Sequence, residues 1–491
     1  MDRERIETRP KFNRGGAWAR SGVAVGYEAV SLTPSFAQVR LSTFQSMLFG
    51  SFVLVKVKYR IGIPMKKILI TAVYYPPSGA VGAKRPAKIA TFLADRGWDV
   101  TVLTVDSALT LPAGIVAVEK ENLKVIRTRA FVPYVILQNR FSNNEKKKVK
   151  SPPSMIRANA DRGKIGDNLK RAKNYLVRKT LTALDKIDMW SGWRRPALTA
   201  MRKLDVNFDV VLSTIPPNST AYLGLELAAL YNCKFVLDYR DPWTGMLRES
   251  WSMGKINART SNRHTEIEDK CLSAADLILA VSPAISEQLS NRVNKKVLTI
   301  PQGYEGTITK SEYDDEMKYL LYAGSLAYGR DISTVLAAIK YVGEMWQESM
   351  KLVYCGSHSE RAREQANSVG AAEYIDILGT LHEKDVFDYA TKSVCNIVII
   401  SAGYEYAYPG KVFDLIPAGR PICVISPSMS EAGKLVEDHG IGFSVKAMDT
   451  VKLAEKLKNE IDREFSMTNK VDDLKVEKVY QRMVDEGLDL L

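Results

Sequence analysis

The sequence predicts an α/β protein with two doubly wound, Rossmann-like domains of parallel strands. From residue 65 onwards, thirteen short runs rich in Val, Ile and Leu alternate with stretches of helical spacing. Most of the runs are continuously apolar over several residues, which is typical of parallel strands covered by helices on both faces. Thirteen strands are too many for one such sheet, and turn formers and charges over 301–315 interrupt the rhythm. We therefore expect two sheets with a cleft between them.

The predicted strands define the domains. Seven strands precede the interruption and six follow it, at 67–73, 98–105, 123–129, 208–215, 234–241, 275–282 and 297–301, then 318–324, 351–356, 374–379, 394–401, 421–427 and 441–445. We place an N-terminal domain at 65–303, with a basic insertion at about 140–190, and a C-terminal domain at 304–470. A C-terminal helix is expected within 471–491.

The first 64 residues differ from the rest, since charged, glycine-rich and apolar pieces alternate there without a period of 2 or 3.6. Met65 is followed by two lysines and then by an apolar run that is typical of a buried strand. We expect 1–64 to be a disordered or non-native extension. A targeting peptide is the alternative, and the acidic residues Asp2, Glu4 and Glu7 count against it.

The composition is that of a folded protein with excess positive charge. Apolar and charged shares of 46% and 25% exclude collagen-like, low-complexity and wholly disordered classes. The net charge of +13 points to an anionic partner. The five cysteines lack C-x-x-C and histidine spacings, which excludes a zinc ribbon and favours reduced thiols. No apolar run reaches the ~18–20 residues of a membrane helix. We expect a cytoplasmic protein, with peripheral binding at the inner face of the cell membrane as an option.

The positive charge is concentrated in one region. Residues 140–180 contain 13 Lys and Arg against three acidic residues, and 168–187 has helical spacing. Two readings stay open with equal weight, a solvated insertion and a patch that binds an anionic membrane surface. Nucleic acid is not expected as a partner, because no recognition motif of that class is present.

A glycine-containing turn follows the first strand. Gly79 and Gly82 lie in this turn, and Lys84 and Arg85 open the next helix. Such a turn lets a ligand approach the backbone N–H groups of a helix N-terminus. The spacing is not G-x-G-x-x-G, so a dinucleotide site is only weakly supported. Tight helix–strand packing is the alternative role of these glycines.

Polar residues also end later strands. Arg240 and Asp241 close the fifth strand, where open α/β sheets bind ligands, although a pair that only caps a loop is the alternative. In the second domain, Gly324 ends the first strand, and Arg330 lies beside the next helix N-terminus, which suits a diphosphate.

A second candidate anion site lies in the same domain. Pro409, Gly410 and Lys411 open a helix, and Asp414 could accept hydrogen bonds from a ribose diol. No Asp-x-Asp motif occurs, so phosphate charge must be balanced by basic side chains and helix dipoles. The histidines show no metal spacing, and neither a metal nor a cofactor is expected.

Together these segments resemble the GT-B glycosyltransferases, specifically glycosyltransferase family 4. The matching segments occur in the family's order and span 65 to about 445: MKKILITAVYYPPSGAVGAKRPAKIATFLADRGWDVTVLT, DVVLSTIPPNSTAYLGL, LDYRDPW, ADLILAVSPAISEQL, VLTIPQGYEG, LLYAGSLAYGRD and PGKVFDLIPAGRPI. The resemblance implies that a nucleotide-diphosphate sugar binds the C-terminal domain and the acceptor the N-terminal one. It also implies sugar transfer with retention and, as a rule, without metal.

The resemblance assigns roles with two departures. The family's Glu-(x)7-Glu motif falls on Tyr406 and Asp414, with Glu405 one position from the first acid. Ser325 stands where an Arg is usual, so Arg330 would carry more of the diphosphate charge.

The other site residues follow from the same resemblance. Arg330 and Lys411 would stabilise the leaving diphosphate, and Asp414 would hold the ribose. Gly79 and Gly82 would let the N-terminal domain approach the diphosphate or the sugar. Arg240 or Asp241 would orient the acceptor or the reacting centre.

We thus expect a glycosyltransferase of bacterial surface-polysaccharide assembly, with a saccharide or lipid-linked acceptor. One alternative is a sugar-nucleotide epimerase of the same fold, which would need acid/base carboxylates and usually a histidine in the cleft. Another is an inactive glycosyltransferase-like scaffold, with Tyr406 as the lesion.

Overall fold

A computed structural model describes residues 65–110, 114–116, 118–132, 187–245, 258–310, 317–462 and 465–491. The expectations for the extension 1–64 and for the basic region 140–180 lie outside these residues.

The first sheet has seven parallel strands in the order β3-β2-β1-β4-β5-β6-β7. The strands are β1 Lys67–Thr71, β2 Asp99–Val105, β3 Leu123–Thr128, β4 Val210–Ile215, β5 Lys234–Tyr239, β6 Leu277–Ala280 and β7 Val297–Thr299. In the described parts of this half of the chain, five helices accompany them: α1 Lys84–Asp95, α2 Arg194–Met201, α3 Ser219–Tyr231, α4 Ala258–Ala274 and α5 Pro283–Ser290.

This sheet is buried on both faces. Successive side chains of a strand point to opposite faces, so Ile68 and Ile70 of β1 enter one hydrophobic cluster and Leu69 enters another. All six residues of β4 are buried for the same reason. Continuous apolar runs are therefore what this position in the sheet requires.

The second sheet has six parallel strands in the order β10-β9-β8-β11-β12-β13. The strands are β8 Tyr319–Ala323, β9 Lys351–Cys355, β10 Ile375–Gly379, β11 Cys395–Ile399, β12 Ile422–Ser426 and β13 Gly442–Lys446. The helices that follow or flank them are α6 Ser333–Trp346, α7 Ser359–Ser368, α8 Glu383–Lys392, α9 Gly410–Leu415, α10 Glu431–Asp438 and α11 Thr450–Asp462.

The end of the chain packs on the first sheet's half of the molecule. Helix α12, Val476–Asp485, lies against α1, where the ring centroids of Tyr480 and Phe92 are 5.5 Å apart. The Tyr480 hydroxyl also donates a hydrogen bond of 3.1 Å to the Gln302 carbonyl. The polypeptide thus runs from the first sheet to the second and back.

The predicted fold class is confirmed. Every one of the thirteen expected strands forms, in sheets of seven and six strands that are parallel throughout. Several predicted strands are longer than the observed ones, because apolar residues such as Ala72 and Val73 stay buried after sheet pairing ends at Thr71. Within the described part of the chain, no helix is both long and apolar enough to span a bilayer.

Candidate functional site

Residues from both halves of the molecule line one cleft cavity of about 760 Å³. Helix α1 supplies Lys84 and Lys88, and helices α8 and α9 supply the opposite wall. The opposite wall includes Glu383, Lys384, Val386, Phe387, Lys411, Phe413 and Asp414. A second cavity of about 300 Å³ adjoins it across the ends of β8, β9 and β10, because both cavities contact Ala323, Leu381 and Val386. The two together form a groove along the carboxyl edge of the second sheet, where open α/β sheets bind ligands.

A half-buried cation, Lys411, lies at the centre of this groove. The ammonium group of Lys411 lies over Gly324, so that a Cβ at Gly324 would collide with the Lys411 nitrogen, Nζ. The same Nζ is 5.6 Å from the centroid of the Tyr322 ring. Burial and, to a smaller extent, the nearby Arg330 guanidinium lower the pKa of Lys411 to about 8, although Asp414 opposes the shift. Among the described residues, no carboxylate oxygen lies within 4.0 Å of this Nζ.

Arg330 supplies a second positive charge beside Lys411. A left-handed turn precedes it, with φ values of 59° at Tyr328 and 75° at Gly329. Its guanidinium lies 6.0 Å from the Tyr328 ring centroid, and Nη1 donates a 3.5 Å hydrogen bond to the Ser325 carbonyl. No ion pair of Arg330 occurs within the described residues. Two cations without a carboxylate between them form a site suited to an anion.

The positive charge comes from side chains more than from helix ends. Helix α9 has only six residues, with Pro409 at its N-cap and Gly410 first, so its dipole is small. A Cβ at Gly410 would make only an ordinary contact of 3.4 Å with the Gln302 amide. The predicted residues Pro409 and Gly410 therefore set the direction of α9, and Lys411 carries the charge.

Asp414 lines the same cavity one turn after Lys411. Its carboxylate oxygen Oδ2 accepts a hydrogen bond of 3.2 Å from Lys84, which also lies 3.3 Å from Glu383. Burial alone would lower the pKa of Lys84, but the two carboxylates raise it above its ordinary value. A lysine of the first half of the molecule thus bridges two acids of the second half.

Arg85, which we expected to bind substrate beside the glycine turn, lies in the interior of the first half and not in the cavity. The side chain is 1% exposed, and its Nε and Nη2 donate hydrogen bonds of 2.6 to 2.9 Å to the buried Asp238. Its Nη1 donates to the Pro301 carbonyl at 3.0 Å. Burial alone would lower the pKa of Arg85. The negative charge of Asp238 and the hydrogen bonds that Arg85 donates to it raise the pKa above its ordinary value. The guanidinium therefore joins α1 to the interior of the first half rather than to the cavity.

Lys84 and Glu383 line the cavity, and neither was assigned a binding role from the sequence. Adjacent helical residues point about 100° apart, so only one member of the Lys84–Arg85 pair can face the cleft. Arg85 shares the buried stripe of Ile89 and Phe92, whereas Lys84 shares its face with Lys88. This periodicity was the signal in the sequence that could have selected Lys84.

The segments that follow β1 and β5 are hydrogen-bonded to each other. Arg240 donates a 2.9 Å hydrogen bond from Nη1 to the Gly82 carbonyl, and its Nη2 donates to the Pro216 carbonyl. A Cβ at Gly82 would lie 2.5 Å from the Arg240 Nη1, which explains the glycine without a ligand. Burial lowers the pKa of Arg240, while Asp241 beside it raises it. Arg240 therefore positions the glycine turn, in which Gly79 is exposed.

Tyr406 lies outside the cavity. Its side chain is 4% exposed and packs in the hydrophobic cluster of the first half of the molecule. The Ser282 hydroxyl donates a 2.7 Å hydrogen bond to the Tyr406 carbonyl. The Tyr404 and Tyr406 rings are stacked, with their centroids 6.2 Å apart. The residue that aligns with the family's first acid is therefore a packing contact between the two halves, as its aromatic side chain would favour.

The structure thus brings together four of the predicted residues, Gly324, Arg330, Lys411 and Asp414. It leaves Arg85 in an internal ion pair, and Tyr406 and Gly82 in packing contacts. Across the described ranges, no cluster of three His, Cys, Asp or Glu side chains has the geometry of a metal site.

Comparison with known proteins supports the fold. No family model matches the sequence, and no curated protein sequence matches it significantly. Among solved structures, sucrose-phosphate synthase from Thermosynechococcus elongatus superposes with a TM-score of 0.58 at 14% identity, covering 87% of this chain and 99% of that one. The lipopolysaccharide outer core galactosyltransferase WaaB gives a TM-score of 0.51 at 11% identity, covering 87% of this chain and 100% of that one.

A third similar structure is the N-terminal domain of Candida albicans trehalose-6-phosphate phosphatase, with a TM-score of 0.53 at 11% identity, covering 86% of this chain and 96% of that one. Similarity at these identities shows the fold. The chain has the two-domain α/β architecture of the GT-B glycosyltransferases.

Proposed function

We propose that the protein is a glycosyltransferase that binds a nucleoside-diphosphate sugar along the groove of its second sheet. The observation that carries this proposal is the environment of the Lys411 ammonium group, which lacks a nearby carboxylate. Burying a charge without a counter-charge is costly. The Lys411 ammonium is half-buried beside Arg330, without a carboxylate within ion-pair distance in the described part of the chain. A bound diphosphate supplies the missing negative charge.

The proposed chemistry follows from where charge develops. As the bond from the sugar to the diphosphate breaks, negative charge grows on the leaving oxygen, and fixed cations beside it lower the barrier. Lys411 and Arg330 take this role. Gly324 leaves room for the Lys411 ammonium at the end of β8, because a side chain there would displace it. The Asp414 carboxylate accepts hydrogen bonds from the ribose hydroxyls.

The acceptor side of the proposal rests on the first half of the molecule. Arg240 fixes the turn that contains Gly82, and Asp241 follows it at the carboxyl end of β5. Asp241 and the exposed Gly79 are our candidates for contact with a saccharide or a lipid-linked acceptor. We further propose transfer with retention, without metal, in the assembly of a bacterial surface polysaccharide on the cytoplasmic side of the membrane.

Binding is tested by thermal shift against UDP, GDP, ADP and CDP, their sugar conjugates and the parent nucleosides. A ligand that binds the folded state raises the melting temperature by mass action. We expect one diphosphate and its sugar conjugates to stabilise the protein, with no effect of EDTA. Stabilisation by none of them would contradict the proposal.

Catalysis is tested by donor-dependent release of the nucleoside diphosphate in the presence of cell-envelope acceptor extracts. Release that requires an acceptor supports transfer. Binding without any release, across saccharide and lipid-linked acceptors, would indicate a binding scaffold instead.

A membrane role is tested by co-sedimentation with anionic vesicles in a salt series. We expect wild-type binding at low salt that is lost when seven basic residues are neutralised, Lys146, Lys147, Lys148, Lys150, Lys170, Arg171 and Lys173. Equal binding by both proteins would assign the region to a solvated insertion.

A further inference from the structure

Lys84 is the feature of the cleft that the proposed reaction does not yet use. It is the first residue of α1, yet its Nζ lies 3.2 Å from Oδ2 of Asp414 on α9 and 3.3 Å from Oε1 of Glu383 on α8. All three side chains line the same cavity. One cation from the first half of the molecule therefore faces two carboxylates from the second half.

The charge balance of the cavity depends on this contact. A nucleoside diphosphate is an anion, and carboxylates without a counter-charge in the same groove would repel it. Within the described residues, Lys84 is the cation at ion-pair distance from both Asp414 and Glu383. The neighbouring Lys88 pairs instead with Glu305 at 3.2 Å.

The contact with Lys84 leaves Asp414 able to bind a ribose, as proposed above. Lys84 contacts only the Oδ2 atom of Asp414 in the structure. The second oxygen of the carboxylate can still accept a hydrogen bond, because an ionised carboxylate accepts at both oxygens. Lys84 can therefore neutralise Asp414 while a diol binds it.

We propose that Lys84 is a specificity-determining residue of the donor site: it neutralises Asp414 and Glu383, so that the groove accepts a charged nucleotide and not only a neutral nucleoside. This inference rests on the proposed function. It makes the first half of the molecule a contributor to donor affinity, through charge and not through contact with the phosphates.

The test compares UDP and uridine, or the best diphosphate of the thermal-shift panel and its nucleoside, by titration calorimetry. In Lys84→Met we expect diphosphate affinity to fall about 5-fold at low salt, the upper range for partly exposed ion pairs, and nucleoside affinity to stay unchanged. The loss should shrink at high salt, because screening weakens the repulsion. Adding Glu383→Gln should restore most of the affinity, because it removes one of the two unpaired carboxylates.

Lys384→Met is the matched control. Lys384 lines the same cavity and is not paired with Asp414 or Glu383, so its removal deletes one positive charge and leaves both carboxylates neutralised. We expect a smaller loss in this variant. An equal loss would mean that only the net charge of the cleft matters and would overturn the proposal.

Other outcomes are equally decisive. An equal loss for nucleoside and diphosphate, tighter nucleoside binding in Lys84→Met, or no rescue by Glu383→Gln would overturn the role of Lys84. If wild-type protein binds no nucleotide, the proposed function fails, and inorganic pyrophosphate becomes the probe. Weaker pyrophosphate binding in Lys84→Met would then still support the role of Lys84, whereas unchanged or absent binding would overturn it as well.

Discussion

Arg85 is a buried cation in the first half of the molecule and Lys411 a half-buried cation in the second, and they differ in what faces them. Arg85 donates three hydrogen bonds to the buried carboxylate of Asp238, and its pKa is raised. Lys411 has no carboxylate within ion-pair distance in the described chain, and burial lowers its pKa to about 8. Breaking the Arg85 pair would leave a buried carboxylate without a counter-charge, whereas Lys411 gains a counter-charge only when an anion binds. The contrast separates a structural ion pair from a cation for which we propose a role in binding.

The largest expected effect comes from breaking the Arg85 pair. Arg85→Met should lower the free energy of unfolding by ~3–5 kcal/mol, because it leaves Asp238 as an uncompensated buried charge. Denaturant unfolding followed by circular dichroism measures this loss. The double variant Arg85→Met with Asp238→Leu should recover a large part, since no charge then remains buried. A stable single variant would contradict the structural role of this pair.

The next effect is on binding, and it should come without a loss of stability. Lys411→Met and Arg330→Ala should each weaken binding of the nucleoside diphosphate by roughly 10- to 150-fold, the range of a charge-assisted contact worth ~1.5–3 kcal/mol. Binding of the nucleoside should change little. Calorimetric titration of both ligands checks this. Equal losses for the two ligands would remove these residues from the phosphate role.

The pH dependence sharpens the same contrast. The pKa of Lys411 is lowered from 10.5 to about 8 in the folded protein. Between these pH values the unfolded state binds more protons, so the stability of the free protein should gain a contribution as pH rises. Diphosphate affinity should fall over the same range, by up to about tenfold per pH unit, because the ammonium loses its proton.

Lys411→Met is the control for this pH effect, and both changes should disappear in it. Titrations and thermal unfolding at pH 7 to 10 measure them. Identical pH profiles of the wild type and this variant would show that another group titrates.

The smallest expected effect is that of removing residues 1–64. Neither Arg85 nor Lys411 is in this segment, and its sequence lacks the periodicity of a packed element. The truncated protein should have the same melting temperature and the same nucleotide affinity. Aggregation or weaker binding after truncation would assign the segment a structural role.

The strands and the strand-end residues were accessible from the sequence, because both depend on local pattern. A strand buried on both faces must be largely apolar, and most of the thirteen runs have this pattern. Gly324 follows β8 directly, and Lys411 and Asp414 lie in the short helix that follows β11, so their position at the carboxyl edge followed from the order of elements.

The partners of charged residues could be read only from the tertiary structure. Arg85 and Lys84 are neighbours in sequence, but one pairs with Asp238 inside the first half and the other reaches Asp414 and Glu383 across the cleft. Tyr406 likewise packs on the other half of the molecule. Periodicity is a property of consecutive residues, whereas a counter-charge or a packing neighbour comes from wherever the folded chain brings another segment. The sequence therefore determined the fold and the sheet edge that we propose binds a ligand, and the tertiary structure decided which cations remain for the proposed ligand.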